Sequence, residues 1–204
     1  EYVKISLITP AGKQSKNGNR TTALRWARLL RQSGHLVRIS TDYEGEATDV
    51  MIALHARHSG AAVRRYREQM TQGPLVVGLG GTDVNTFLQT ERALTLGSMD
   101  MADALICLHD LIGPELPAPL RPKLHVVRQS AQPLTQPRQP SKRHFDICVI
   151  GHLRAEKDPF RTALAARLLP PTSRLRVHHL GGAHSMDFAD QAQRHSLLRC
   201  HKIT

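Results

Sequence analysis

Four segments of the chain gather residue types that can do chemistry. The most specific is Gly151-His152-Leu153-Arg154-Ala155-Glu156-Lys157-Asp158-Pro159-Phe160. An apolar run leads into Gly151, and Arg154 and Lys157 fall in the strand-to-helix turn that follows. There an arginine fork and a lysine point charge can hold a diphosphate. A helix is predicted from near Asp158, with Pro159 at its first position; solvated basic residues beside an acidic cap are the plainer reading. The second segment is Ala11–Arg20 (AGKQSKNGNR), a polar loop between a first strand and a first helix. Backbone N–H groups and the helix dipole favour anions at such a place, and Lys16 and Arg20 add charge. It carries neither G-x-G-x-x-G nor G-x-x-x-x-G-K-[ST], and an ordinary flexible loop accounts for it equally well. The third is Gly80-Gly81-Thr82-Asp83, where two glycines admit a ligand to the backbone and Thr82 and Asp83 supply polar groups. Asp83 as a helix N-cap is the simpler alternative. The fourth is His55-Ala56-Arg57-His58, whose imidazoles could serve as acid, base or phosphate donor, or simply lie on a surface loop.

Such segments need a scaffold that brings them to one edge, and the hydropathy pattern supplies it. Strands are predicted over 4–9, 36–40, 49–55, 74–79, 104–109 and 123–129. Helices are predicted over 20–33 and from a Ser59 cap to about 70, with 86–101 mostly helical and a short helix over 111–116. Strand and helix alternating this way imply a parallel sheet with helices on both faces. The runs VMIAL, LVVGL and ALICL are apolar at consecutive positions, the pattern of strands buried on both sides. Ligands of open α/β sheets bind beyond the carboxyl ends of strands, where the candidate segments fall. Residues 131–143 (AQPLTQPRQPSKR) have three prolines and no apolar period, and read as a linker. A strand over 145–150, a helix over 158–169 and a strand over 174–180 then begin a second α/β domain. One further helix is possible after Ser185. A lone βαβ unit buries little surface, so the expected organisation is a domain at 1–130, a linker at 131–143 and an incomplete domain at 144–204.

Composition narrows the partners. The 204 residues include 28 Lys and Arg against 17 Asp and Glu, a formal charge of +11. The excess is +4 over residues 1–130 and +7 over 131–204, so an anionic partner is expected. Nucleic acid fits poorly: there are only four Phe and three Tyr for stacking, and no zinc-finger or RNA-binding aromatic motif. A phosphate-bearing small molecule explains the charge as well. Hydrophobic residues make up 40% of the chain, which excludes a wholly disordered protein. No apolar run approaches the roughly 18–20 residues of a membrane span, and the first 30 residues lack the apolar block of a secretory leader, so a cytoplasmic location is expected. Cys107 and Cys148 sit inside apolar runs and are expected to be buried reduced thiols, with Cys200 as the third cysteine. The histidines, His178 and His179 among them, show no repeated ligand spacing, and no metal site is expected.

The segment Lys16–Val37 (KNGNRTTALRWARLLRQSGHLV) resembles the first loop and helix of GT-B glycosyltransferases. The strand into GHLRAEKDPF resembles the basic donor-phosphate turn that opens their second domain. Together with ALHARHS, GGTD and GHLRAEKDPFRTALAARLLP…LRVHHLGGA, these stretches resemble the selenosugar synthases of selenoneine biosynthesis, over nearly all of residues 3–184. The resemblance implies a Rossmann-like parallel-sheet domain followed by the start of a second α/β domain, GT-B-like and incomplete. It implies the joining of a UDP-activated sugar to selenophosphate, with a carbon–selenium bond formed, UDP and phosphate released, and no cofactor. Carried over by position, Arg154 and Lys157 would hold the diphosphate. Gly18, Asn19 and Arg20 would form the cleft-facing loop near sugar and acceptor. Thr82 would line the acceptor side, with His55 and Asp83 as catalytic residues and Arg20 and Arg57 clamping the anionic acceptor. His152 stands where an arginine is frequent, which shifts phosphate binding onto Arg154. The family's glutamate-bearing donor segment lies further on than Ala183, and HSLLRCHKIT is unlike the expected continuation. The chain is therefore expected to be a fragment or frame-shifted product, inactive as it stands. No D-x-D motif is present, so metal independence is expected. The alternatives are an ordinary sugar transferase with an alcohol or thiol acceptor, and a non-catalytic anion- or nucleic-acid-binding module.

Overall fold

A computed structural model of the chain describes residues 2–15, 17–137, 139–196 and 201–203, with Ser196 and 201–203 described by backbone alone. Lys16 and Cys200 lie outside the described residues. The chain divides into two compact units, Glu1–Ala131 and Gln132–Thr204.

The first unit is a mixed α/β domain built on a six-stranded parallel sheet. Its strands are β1 (Lys4–Ile8), β2 (Leu36–Ser40), β3 (Val50–Leu54), β4 (Leu75–Gly78), β5 (Ala104–Cys107) and β6 (Leu124–Val126), in the order β2-β1-β3-β4-β5-β6. The chain moves one way from β1 to β2 and the other way from β3 onward. The carboxyl ends of β1 and β3 therefore flank a topological switch point, where an open sheet leaves a crevice.

Helix α1 (Gly18–Gln32) covers one face. Asn17 opens it by accepting the Arg20 amide at 3.0 Å, and Gly34, with φ 89°, turns the chain out of it after Ser33. Ala23 and Ala27, one turn apart, have no exposed surface. Their small side chains let α1 lie close against Ile5 and Leu7. On the opposite face, α2 (Gly60–Gln69) and α4 (Arg92–Met101) bury Met51, Ala53, Leu75, Val77 and Leu105 beneath Val63, Tyr66 and Met99. The sheet is not sealed on both sides as the apolar runs suggest: Val50, Ile52, Val76 and Ile106, on the α1 face, are only half-buried. Ser59 precedes α2 without capping it; its hydroxyl donates to the Leu54 carbonyl at 2.7 Å. The segment before α4 is a π-turn (Asp83–Phe87) and a short α3 (Leu88–Thr90), broken at Glu91.

The second unit has its own parallel sheet, β7 (Phe145–Ile150), β8 (Leu175–Leu180) and β9 (His201–Ile203), in that order. The helix expected over 158–169 is shorter and later. Pro159 disfavours the helical region for the residue before it, and Asp158 turns left-handed at φ 43°. A 3-10 turn over Ala155–Lys157 precedes it, and α5 spans only Arg161–Ala166. Helix α6 (Met186–Ser196) follows β8. Strand order that advances one way, with right-handed crossovers, puts both helices on one face. Val177 and His179 are buried on that side. Cys148 points to the other and is exposed, not buried as its apolar neighbours suggest.

Asp146 lies on the Cys148 face, 2.8 Å from Arg176 Nε and 3.0 Å from His178 Nε2. Hydrogen bonds from Arg176 and then His178 hold its carboxyl down at about 2. A carboxyl with a lowered folded pKa stabilises fully above its unfolded value, near 4 by the ordinary range, and loses that stabilisation as pH falls toward 2. Acid titration of the fold, followed by circular dichroism, is expected to show wild type losing stability across that window and Asp146→Asn losing less. Parallel curves would show that the pair carries no pH dependence.

Candidate functional site

The carboxyl ends of β3 and β4 meet in one hydrogen-bonded cluster centred on Asp83, which has no exposed surface. Its Oδ2 accepts the amides of Ala56 (2.9 Å) and Gly80 (2.8 Å), and its Oδ1 accepts the amide of Arg57 (2.8 Å). Oδ1 also lies 2.9 Å from His55 Nδ1. The other imidazole nitrogen, Nε2, is 2.8 Å from the Thr82 hydroxyl. With Nδ1–H donating to the carboxylate, Nε2 accepts from Thr82, and the hydroxyl of Thr82 becomes the outer end of a Thr82–His55–Asp83 chain. Thr82 is half-buried, whereas His55 is 4% exposed.

His55 sits in the left-handed region at φ 74°, uncommon for a residue with a Cβ. Its amide donates to the Gly78 carbonyl at 2.7 Å, and the turn it makes aims the next two amides at Asp83. His58 packs against His55 with ring centroids 4.2 Å apart and the rings tilted by 36°, and both rings meet Phe87 edge-on. Burial against these rings, then the neighbouring imidazole, pushes the His58 pKa below its ordinary value.

Arg57 joins this cluster through its amide, while its guanidinium pairs with Glu91 at the break before α4. The remaining residues singled out in the first unit lie on α1. Gly18, Asn19 and Arg20 form the first turn of α1. Arg20 Nε is buried without a hydrogen-bond partner among the described residues, and so is the hydroxyl of Thr9, which follows β1. The sequence reading missed Thr9, although a hydroxyl closing an apolar strand at the switch point was visible there.

In the second unit, the turns after β7 and β8 are clipped together. A Cβ on Gly181 would stand 2.0 Å from the Gly151 carbonyl oxygen, so the two glycine backbones touch. Leu153 and Ala183 pair as an isolated bridge, with Leu153 N donating to the Gly182 carbonyl at 3.0 Å and His184 N to that of Leu153 at 3.1 Å. His179 Nε2 donates to the Gly151 carbonyl at 2.8 Å. The platform presents Lys157, which is exposed, and Arg154, which is half-buried, its Nε making no hydrogen bond but an ion pair with Glu156 at 3.8 Å. His152 and His184 face each other across it at 5.2 Å between rings. His184 and Gly181 were not singled out in the sequence; the Gly-Gly after a second strand was the available signal.

No protein-family model matches the chain, and no curated protein matches it. The geometry must therefore carry the functional reading. A cavity of about 430 Å³ lies elsewhere, along β1 and β2, lined by Lys4, Ser6, Arg31, Arg38 and Glu46 among others. Three of these polar side chains have partners: Arg31 donates to the Val37 carbonyl, Ser6 to Glu46, and Arg38 pairs with Glu44. The chemistry-bearing groups are instead at the carboxyl ends of the strands. Among the described residues there is no cluster of three or more His, Cys, Asp or Glu able to hold a metal ion, and no helix is long and apolar enough to cross a membrane.

Proposed function

We propose that the chain is a GT-B-type sugar transferase polypeptide of the selenosugar synthase kind, whose reaction joins a UDP-activated sugar to selenophosphate. The observation that carries this reading is the clipped turn after β7, which presents Arg154 and Lys157, with Arg154 Nε making no hydrogen bond and only a long ion pair to Glu156. A fork donor and a point charge on a rigid glycine turn suit the two phosphates of a nucleoside diphosphate. The resemblance of GHLRAEKDPF and of the α1 segment supplies the sugar and the selenium; the fold serves many chemistries and does not choose between them.

In this reading the selenium of selenophosphate attacks the anomeric carbon and the C–O bond to UDP breaks. The electron pair leaves with the diphosphate, where Arg154 and Lys157 stabilise the charge. One water then cleaves the Se–P bond, giving the selenosugar and phosphate. Both Asp83 and His55 are buried, so they act by orienting Thr82 instead of touching the substrate.

Calorimetric titration of UDP into the 204-residue chain tests the donor assignment. Arg154→Ala and Lys157→Ala together are expected to weaken UDP binding by roughly 10–100-fold, the range for charge-assisted hydrogen bonds. Unchanged affinity overturns it. Selenophosphate binding that strengthens in the presence of UDP supports the acceptor, whereas an alcohol or thiol bound in its place points to an ordinary sugar transferase.

A further inference from the structure

We infer that the cavity along the amino ends of β1 and β2 is a second binding site, and that it takes a small organic anion: an apolar body carrying one carboxylate or phosphate. The inference stands apart from the sugar-transfer reading. The strands of the first unit all run parallel. The amino ends that line this cavity and the carboxyl ends that hold Asp83 are therefore at opposite ends of the sheet. At about 430 Å³ the cavity falls in the range of small-molecule sites, roughly 300–1,000 Å³.

The layering of the fold leaves this space open. Strand β2 is the edge of the sheet. Ile5 and Val37 belong to the core under α1, so alternation turns Lys4, Ser6, Leu36 and Arg38 to the other face. On that face α2 and α4 cover β3, β4 and β5, and of β1 and β2 only Ile8 joins the core beneath them. The amino ends of β1 and β2 are left to the connection before β3, whose Glu46, Ala47 and Thr48 complete the lining. Leu36, 54% exposed, and Ala47 give the cavity an apolar wall that an apolar body can cover.

The charged groups decide the sign of the ligand. Glu46 is the one carboxylate of the lining, and its oxygens already accept the Ser6 hydroxyl and the Glu44 amide. Asp49, one residue past Thr48, accepts the Lys4 amide at 2.8 Å. Arg38 is paired with Glu44. The remaining basic groups are less fully used. Arg31 spends one of its five N–H donors on the Val37 carbonyl. The Lys4 ammonium makes no hydrogen bond or ion pair among the described residues. His35 Nδ1 accepts the Val3 amide at 3.4 Å, so the ring proton sits on Nε2. What the cavity has to spare is donors: an ammonium, a guanidinium and an imidazole N–H. A cation would find its carboxylates engaged, whereas an anion meets Lys4 and Arg31 in charge-assisted hydrogen bonds.

The test is heteronuclear NMR titration of the full chain at low ionic strength, with octanoate, octyl phosphate, octanol and octylammonium as probes. An anionic probe is expected to bind with a Kd on the order of 1 mM or tighter, as befits about ten heavy atoms, and to shift the amides of Ser6, Leu36 and Ala47. Octanol is expected to bind about tenfold more weakly, and octylammonium not to shift these amides. Lys4→Gln and Arg31→Gln are each expected to weaken the anions about tenfold, the worth of one hydrogen bond to a charged group. Ala47→Trp fills the cavity and is expected to abolish binding. Lys4 and Arg31 are exposed, so their variants are expected to melt as wild type and decide the matter should Ala47→Trp fail to fold. The tighter of octanoate and octyl phosphate names the head group, and either keeps the site. Octylammonium bound as well as octanoate, shifts confined to the second unit, or anion affinity unchanged in both Lys4→Gln and Arg31→Gln would each overturn it. So would the absence of any response at about 10 mM of either anion, well above the expected Kd.

Discussion

Asp83→Ala is expected to destabilise the first unit by about 3–5 kcal/mol, the range for removing one partner from a buried charged network. Three backbone amides, from Ala56, Arg57 and Gly80, lose their acceptor at once, together with His55 Nδ1. None can turn to water, because Asp83 is fully buried and His55 nearly so. The left-handed backbone of His55 then has less to hold it. For a unit of this size the loss corresponds to a fall in melting temperature on the order of 10–20 °C. Thr82→Val removes only the outer hydrogen bond, at 2.8 Å, and is expected to cost about 1 kcal/mol. Thermal melts of the two variants separate a tie between strand ends from a chemical group. If Asp83→Ala melts within about 1 kcal/mol of wild type, well inside the effect of an ordinary surface change and a lost hydrogen bond, Asp83 does not hold β3 to β4. If Asp83→Ala melts far lower while Thr82→Val melts normally but loses selenophosphate binding, Thr82 is the group that meets the acceptor.

That cluster shows what the residue pattern conveys and what it hides. The strands of the first unit were legible because VMIAL, LVVGL and ALICL are short apolar runs that alternate with helical patterns, although one face of the sheet proves only half-covered. Their carboxyl ends follow from the alternation with helices, and so does the gathering of His55, Thr82 and Asp83 at one edge. The roles within the edge do not follow. Asp83 read as a catalytic acceptor-side residue, with a helix cap as the simpler alternative, and is placed as a brace between two strand ends; of its amide partners Gly80 is local, but Ala56 and Arg57 are 27 and 26 residues away and leave no local signal. Arg57 read as a clamp for an anion, but Glu91 stands against it from a break between helices that no periodicity marks. Helix boundaries slipped where proline acts on its neighbour, at Asp158. Cys148 was misplaced because a run of apolar residues does not say whether helices cover one face of the sheet or two.

Gly181→Ala is expected to disrupt the second unit more than any exposed substitution there. The added Cβ would stand 2.0 Å from the Gly151 carbonyl oxygen and 2.5 Å from its carbon. Both obstacles are backbone, so no rotamer relieves the overlap, and the turns after β7 and β8 must separate. Separation removes the Gly151 amide bond to the Leu180 carbonyl (2.9 Å), both bonds of the Leu153 bridge, and the His179 bond to Gly151. A loss of roughly 3–5 kcal/mol is most of what a small α/β unit has to spare. Gly182→Ala is the control, since a Cβ there meets only the His152 ring at 3.9 Å. Amide hydrogen exchange reads the difference: protection at Leu153 and His184 is expected to collapse in Gly181→Ala and to persist in Gly182→Ala. The same pair bears on the donor assignment. Arg154 and Lys157 keep their charge in Gly181→Ala, so UDP affinity that falls with the protection factors would show that the charges act through the turn that fixes them. Affinity that survives the loss of protection would mean that two mobile cations suffice, and that the clipped turn has no part in holding a diphosphate.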